Sequence, residues 1–241
     1  MEHEHSPEAI MQRLSAGPGS SYLRDWVYGG IDGTVTTFAV VSGVAGAELS
    51  SAIILILGFA NLVGDGFSMA ASNYSGTKAE KEEYERIKNI EDRHIRLEPG
   101  GEREEIRQIY RMKGFQGEEL ERVVDVITSD RERWVKTMLT EEYGLPLEIR
   151  SPVLAALSTF TAFLLCGLIP LIPYIFNLTN PFWLSTAVTG LVFFLIGSIK
   201  SKWSVIPWWK SGVETLVIGS GAAGLAYLIG YLLRGLVQNP M

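Results

Sequence analysis

The 241-residue sequence predicts an all-α integral membrane protein: five transmembrane helices, with a three-helix polar domain inserted between the second and third. Three observations carry this. Residues 26–47, 50–74, 151–176, 182–199 and 211–233 are each almost free of charge. At about 1.5 Å per residue, each is long enough to cross roughly 30 Å of hydrocarbon. By contrast, residues 76–150 hold 15 of the 21 lysines and arginines and 19 of the 27 aspartates and glutamates, a net charge of −4. The short loops are also asymmetric: "KSKWSVIPWWK" carries Lys200, Lys202 and Lys210, whereas "NLTNP" carries no charge. Lysine-rich loops stay in the cytosol, so this places the N-terminus and the 76–150 domain there and the C-terminus on the far side. Trp203, Trp208 and Trp209 in the lysine loop fit an interfacial aromatic belt.

The elements follow in order. "MEHEHSPEAIMQRLSAGPGS" lacks the basic start and short apolar core of a signal peptide. Residues 1–21 read as a flexible cytosolic tail, and His3 and His5 as tail residues rather than ligands. Residues 22–75 carry the first two spans. The second runs without a breaker into "TKAEKEEYERIKNIEDRHIRLE", which predicts one long helix to about Glu98, ended by the "PGG" at 99–101. A short helix from Glu102 to about Met112 stops at Gly114. A third helical region covers 117–143, with a break near Ser129, where Ser129 and Glu132 have capping-box spacing. Gly144 and Pro146 end it. Pro152 suits the first turn of the third span, and residues 151–241 carry spans three to five. The single cysteine, Cys166, excludes an intrachain disulfide and reads as packing. "GSGAAG" at 219–224 has the GxGxxG pattern but lies in an apolar span with no preceding strand. It reads as a helix-packing surface rather than a phosphate cradle. The acidic balance argues against nucleic acid as a partner and is compatible with cations.

Asp32 lies about seven residues into the first span, roughly 10 Å below its cytosolic end. Span two runs antiparallel, so Met69 falls at nearly the same depth and Asp65 about one turn deeper. Asn61, Asp65 and Met69 are spaced i, i+4, i+8 and share a helix face; Asp32 and Thr36 form a similar pair. A carboxylate inside a bilayer is expensive and usually faces a cavity or a partner. The competing reading is a structural acid, protonated or hydrogen-bonded to a neighbouring helix. Two aspartates, an asparagine and a methionine at matched depths favour a cation path over that alternative. Gly29, Gly30 and Gly33 allow another backbone to approach Asp32, which suits either a tight hairpin or a dimer axis. Glu214, at the start of span five, reads as a capping acid.

In the polar domain most acids read as a solvated face. Three pairs stand out by spacing: Glu91 with His94, Glu102 with Glu105, and Met138 with Glu142. Carboxylates with imidazole suit Fe²⁺, Mn²⁺ or Zn²⁺, and a thioether favours softer transition metals over Ca²⁺ or Mg²⁺. From spacing alone, ordinary surface charge remains the alternative. Glu91-x-x-His94 also fits the Glu-x-x-His element of ferritin-like di-iron bundles, but that fold needs two such elements on its bundle helices and the 76–150 domain holds one.

"YGGIDGTVTTFAVVSGVAGA", "GFANLVGDGFSMAASNY" and "DRERWVKTMLTEEYGL" closely resemble the vacuolar iron transporter family, over essentially residues 22–235. The resemblance implies five spans with a cytosolic metal-binding domain, and a homodimer whose translocation path lies between the first two spans of each subunit. It implies a transporter rather than an enzyme, moving Fe²⁺ out of the cytosol in exchange for protons, with Mn²⁺ or another divalent transition metal as an alternative cargo. No cofactor is implied beyond the metal itself. The membrane would be the cell membrane of a prokaryote or the vacuolar membrane of a eukaryote. Asp32 matches the family's span-one aspartate and Met69 its span-two methionine. Glu91, Glu102, Glu105, Met138 and Glu142 match its cytosolic ligands. His94 stands where some members have glutamate, Leu139 where a second methionine can occur, and Asn61 where a carboxylate can occur. Two other classes compete: a membrane-anchored ferritin-like iron oxidase or store, and a membrane metal sensor without flux.

Overall fold

A computed structural model describes residues 4–16, 21–146 and 149–238. Among them every regular element is helical: α1 (Pro7–Ala16), α2 (Leu23–Gly46), α3 (Ser51–Leu97), α4 (Pro99–Met112), α5 (Gly117–Thr128), α6 (Arg131–Glu141), α7 (Pro152–Leu168), α8 (Ile172–Ile175), α9 (Pro181–Lys200) and α10 (Trp208–Gln238). Short 3₁₀ turns join α7 to α8 and follow α9. The chain forms two compact units. One comprises Ser21–Ser75 with Pro152–Met241, the other Met1–Ser20 with Gly76–Ser151.

Among the described residues, four helical stretches are long and apolar enough to cross a membrane: Ser51–Leu97, whose first half lies in the apolar unit, and Pro152–Ile175, Pro181–Trp203 and Trp208–Gly235. The first of the five expected spans, α2, has the length, at 24 residues, but falls outside this set. Its glycines, threonines and Asp32 dilute its apolar character. Within the apolar unit α2 packs against α7, α9 and α10. The third span is interrupted at Pro170 and Pro173, each at the start of a new helical turn. Proline removes an amide and frees a carbonyl; the Ser185 hydroxyl donates to the Pro170 carbonyl at 2.7 Å.

The glycines around Asp32 serve packing against α7 rather than a hairpin with α3. A Cβ on Gly29 would stand 2.3 Å from the Thr159 carbonyl oxygen, and one on Gly33 2.4 Å from that of Phe163. Both glycines therefore let the backbone of α7 rest on α2. Gly30 faces the buried Cys166 thiol, in keeping with a packing cysteine. Of the "GSGAAG" glycines, only Gly219 packs closely, against the Phe193 ring, while Gly221 and Gly224 face open space. Overpacking of this kind destabilises by about 1–3 kcal/mol. Gly33→Val is thus expected to lower the thermal unfolding midpoint in detergent by several degrees. Gly76→Ala, with nothing within 4 Å and in mid-helix, is expected to leave it unchanged or raise it slightly.

In the polar unit, three sequence expectations change. Part of the segment read as a flexible tail is α1: Pro7 suits its first turn, and the Ser6 hydroxyl accepts from the Ala9 amide at 3.3 Å. His5 precedes α1, and His3 lies outside the described residues. "PGG" starts α4 rather than separating helices, because proline is pre-set for a first helical turn and the Glu98 carbonyl accepts from Glu102 N at 3.2 Å. The 117–143 region breaks next to Ser129 as expected, into α5 and α6, but the residue that caps α6 is Asp130, not Ser129. The Asp130 carboxylate accepts from Arg133 N at 2.7 Å, an N-cap bond worth about 1 kcal/mol. The polar unit therefore uses α4, α5 and α6 with the second half of α3, rather than three helices.

One apolar core joins these segments. Leu120, Val124 and Ile127 of α5 meet Trp134, Val135, Met138 and Leu139 of α6, Ile106 of α4, and Ile87 and Ile95 of α3.

Candidate metal path and metal centre

In the apolar unit, α2 and the first half of α3 bring Asp32 and Met69 to one groove of about 570 Å³. Arg24, Asp25, Tyr28, Ser72 and Asn73 complete its lining. The groove follows from two helix faces. Asp25, Tyr28 and Asp32 are spaced i, i+3, i+7 on α2, and Met69, Ser72 and Asn73 are spaced i, i+3, i+4 on α3. Asp32 is half-buried. Asn73 fixes the register: its amide donates to Asp25 Oδ1 at 3.0 Å, to Thr159 Oγ1 at 2.7 Å and to the Ala155 carbonyl at 3.2 Å. This ties α3 to both α2 and α7.

Asp65 and Asn61 sit differently. Asp65 is exposed on α3, outside the groove lining, and within electrostatic reach of Asp32. Asn61 is a tie between helices. Its amide donates to the hydroxyls of Thr36 at 3.1 Å and Thr37 at 3.3 Å, and Thr36 in turn donates to the Asp32 carbonyl at 2.9 Å.

In the polar unit, Glu91, His94 and Glu102 offer ligand atoms that all lie within 4.8 Å of one another. His94 Nδ1 is 3.4 Å from Glu102 Oε1 and 3.9 Å from Glu91 Oε1. The two carboxylates are buried, with Glu91 1% and Glu102 6% exposed. Their burial follows from helix register. Ile87, Glu91 and Ile95 are spaced i, i+4, i+8, and Glu102 and Ile106 i, i+4, so both acids occupy core-facing positions. The Tyr143 hydroxyl donates to Glu91 Oε1 at 2.9 Å, while Oε2 of both Glu91 and Glu102 is buried without a partner. A buried, unsatisfied carboxylate oxygen is strongly unfavourable. A cation held by Glu91, His94 and Glu102 would remove that penalty.

Charge is concentrated at this point. Burial and the neighbouring Glu105, Glu91 and Glu142 raise the Glu102 carboxyl from the ordinary 4.5 to about 7. Glu142 is also raised, by burial and then by Glu91 and Glu105. Burial and the Glu91 contact raise the Tyr143 phenol as well, so it remains a donor. Glu105 and Glu142 thus stand within electrostatic reach of the cluster, although both side chains are exposed. Met138 is fully buried in the apolar core.

Acids elsewhere in the unit are treated in the opposite way. Arg107 grips Glu121 through two bonds of 2.6 and 2.9 Å. This holds Glu121 below the usual carboxylate range. Glu104 is likewise lowered by its bonds from Gln108 and Arg107. The Arg107–Glu121 pair joins α4 to α5, whereas the buried acids face His94.

Sequence reasoning missed Asp25, Asn73 and Tyr143. Asp25 was legible as a residue seven before Asp32 on the same face. The Asn73 and Tyr143 contacts join residues 48 and 52 positions apart and had no local signal.

Residues 23–231 match the VIT family. The vacuolar iron transporter of Toxoplasma gondii (strain ATCC 50861 / VEG) is 33% identical over 227 residues, covering 89% of this chain and 75% of that protein. Vacuolar iron transporter 1 of Oryza sativa subsp. japonica is 30% identical, covering 93% of this chain and 88% of its own length. Vacuolar iron transporter 1 of Arabidopsis thaliana is 30% identical, covering 86% and 84%. A family match across most of the chain and relatives of this similarity establish membership: the chain belongs to the VIT family, a family of multi-pass membrane proteins.

Proposed function

We propose that this chain transports Fe²⁺ out of the cytosol in exchange for protons, through a path lined by Asp32 and Met69. The observation that carries the proposal is their shared groove within a unit of long apolar helices. The relatives' names supply the cargo. In this reading α2 is the fifth span, screened from lipid by α7, α9 and α10. The lysine loop and the polar unit are cytosolic, and the working form is a homodimer.

Asp32 supplies charge to a partly dehydrated cation, which water-free surroundings strengthen. The Met69 thioether is a neutral, soft and exchangeable ligand, so it assists without trapping the ion. Asp65, in electrostatic reach of Asp32, completes a pair of carboxylates that exchange a proton for the metal. Glu91, His94 and Glu102, with Glu105 and Glu142 nearby, gather the metal on the cytosolic side.

Proteoliposomes loaded with a metal indicator test this against the two competing classes. The parent chain is expected to admit Fe²⁺, and Glu102→Ala/Glu105→Ala to lower uptake most at low external metal. Oxygen-dependent Fe²⁺ oxidation that survives Asp32→Ala, without uptake, would make the protein an oxidase. Metal binding without flux would make it a sensor.

A further inference from the structure

A second groove, of about 480 Å³, shares Arg24 and Tyr28 with the Asp32 groove and is lined by residues of α2, the end of α9 with the turn that follows it, and α10. Its two ends differ in chemistry. Arg24, in the first turn of α2, and Lys200, the last residue of α9, mark one end together with Trp203. The walls below are apolar. Val27, Ile31 and Val35 repeat every four residues along α2, and Ile218 faces them from α10.

The length is informative. Arg24 to Val35 is eleven residues, about 16 Å of helix, close to half of a hydrocarbon core roughly 30 Å thick. The groove therefore has the depth of one leaflet, with its cations at the interface end. Its charge is unbalanced. Arg24 is exposed and makes no ion pair among the described residues. Lys200 has a single loose carboxylate neighbour, Glu214, at 3.8 Å. Trp203 is a side chain suited to the headgroup level.

We propose that this groove binds an anionic phospholipid, with its phosphate at Arg24 and Lys200 and one acyl chain along Ile31, Val35 and Ile218. The inference rests on the membrane placement proposed for α2. It adds a ligand distinct from the transported ion. Basic pockets between helices at a cytosolic interface recognise such headgroups, and a cation there is worth about a fivefold gain in binding. Lys200 is partly offset by Glu214, so about a tenfold preference over a zwitterionic lipid follows.

The test is native mass spectrometry of the full chain released from nanodiscs of equal phosphatidylglycerol and phosphatidylcholine. The parent is expected to retain phosphatidylglycerol about tenfold over phosphatidylcholine. Arg24→Gln/Lys200→Gln is expected to bring the ratio to parity. Ile218→Trp, at an exposed position, fills the groove and is expected to evict the lipid while both cations remain. Helical circular dichroism checks that each variant is folded. Parity in the parent, or undiminished retention in both variants, overturns the lipid site and leaves the transport reading untouched. A chain that does not insert in nanodiscs at all overturns both.

Discussion

Asp32→Ala is expected to lower Fe²⁺ flux about 100-fold or more while leaving the helical content unchanged. The magnitude follows from what the carboxylate offsets. A single charge at the centre of a bilayer costs about 2.5–3.5 kcal/mol on insertion scales, and each 1.4 kcal/mol in a barrier is about a factor of ten. A divalent ion crossing without its only groove carboxylate besides Asp25 faces at least that penalty. Asp32→Asn keeps the volume and removes the charge, so the same loss is expected from it. Met69→Ala, which removes a neutral ligand, is expected to give a smaller one. The fold should tolerate both changes at Asp32, because the α2–α7 contact is made by Gly29 and Gly33 and the α2–α3 ties by Asn61 and Asn73. Stopped-flow metal uptake by proteoliposomes measures the loss. Normal flux in Asp32→Ala would remove Asp32 from the path.

Glu102→Gln is expected to have two effects of opposite sign. Metal affinity of the polar unit should fall about 100-fold, because even outer partners of a metal ligand are worth 10–100-fold. Metal-free stability above neutral pH should rise instead. The folded-state Glu102 carboxyl lies at about 7, above its ordinary 4.5. Its contribution to stability is therefore fully present below about 4.5 and lost as pH rises through 7. The parent without metal should thus unfold more easily at pH 8 than at pH 5, and glutamine at this position should flatten that dependence. Binding runs the other way, since the ligand must lose its proton: metal affinity of the parent should weaken as pH falls through 7. Thermal unfolding at several pH values, with and without Mn²⁺ as a redox-stable probe, reads both effects. A metal-free pH profile that is identical in parent and variant would exclude Glu102 from the buried cluster.

Much of the fold was legible because hydrocarbon imposes length and apolarity on a chain. The stretch 182–199 is α9, and 211–233 lies within α10. Asp32 and Met69 were paired by counting residues from the membrane surface, and they line one groove. The polar ends of helices were less legible, since several residues compete for each cap. Asp130 outcompeted Ser129, and Pro99 began a helix where a break was expected. The buried acids had a readable signal of a different kind from the pairs noted at first. Glu91 interrupts the apolar repeat Ile87–Ile95, and Glu102 precedes Ile106 by one turn, so each was marked as core-facing. Helix-to-helix facing was not readable at all. Nothing local told Gly29 and Gly33 to choose α7, or joined Asn73 to Asp25 and Tyr143 to Glu91 across the chain.

The most direct measurement follows metal and protons together, in proteoliposomes holding both a trapped metal indicator and a trapped pH indicator. With the interior acidified, Fe²⁺ entry through the parent chain is expected to be accompanied by alkalinisation of the lumen, and collapse of the pH gradient is expected to slow both signals alike. Fe²⁺ entry indifferent to the gradient would contradict proton exchange, and the absence of Fe²⁺ entry under any gradient would contradict transport itself.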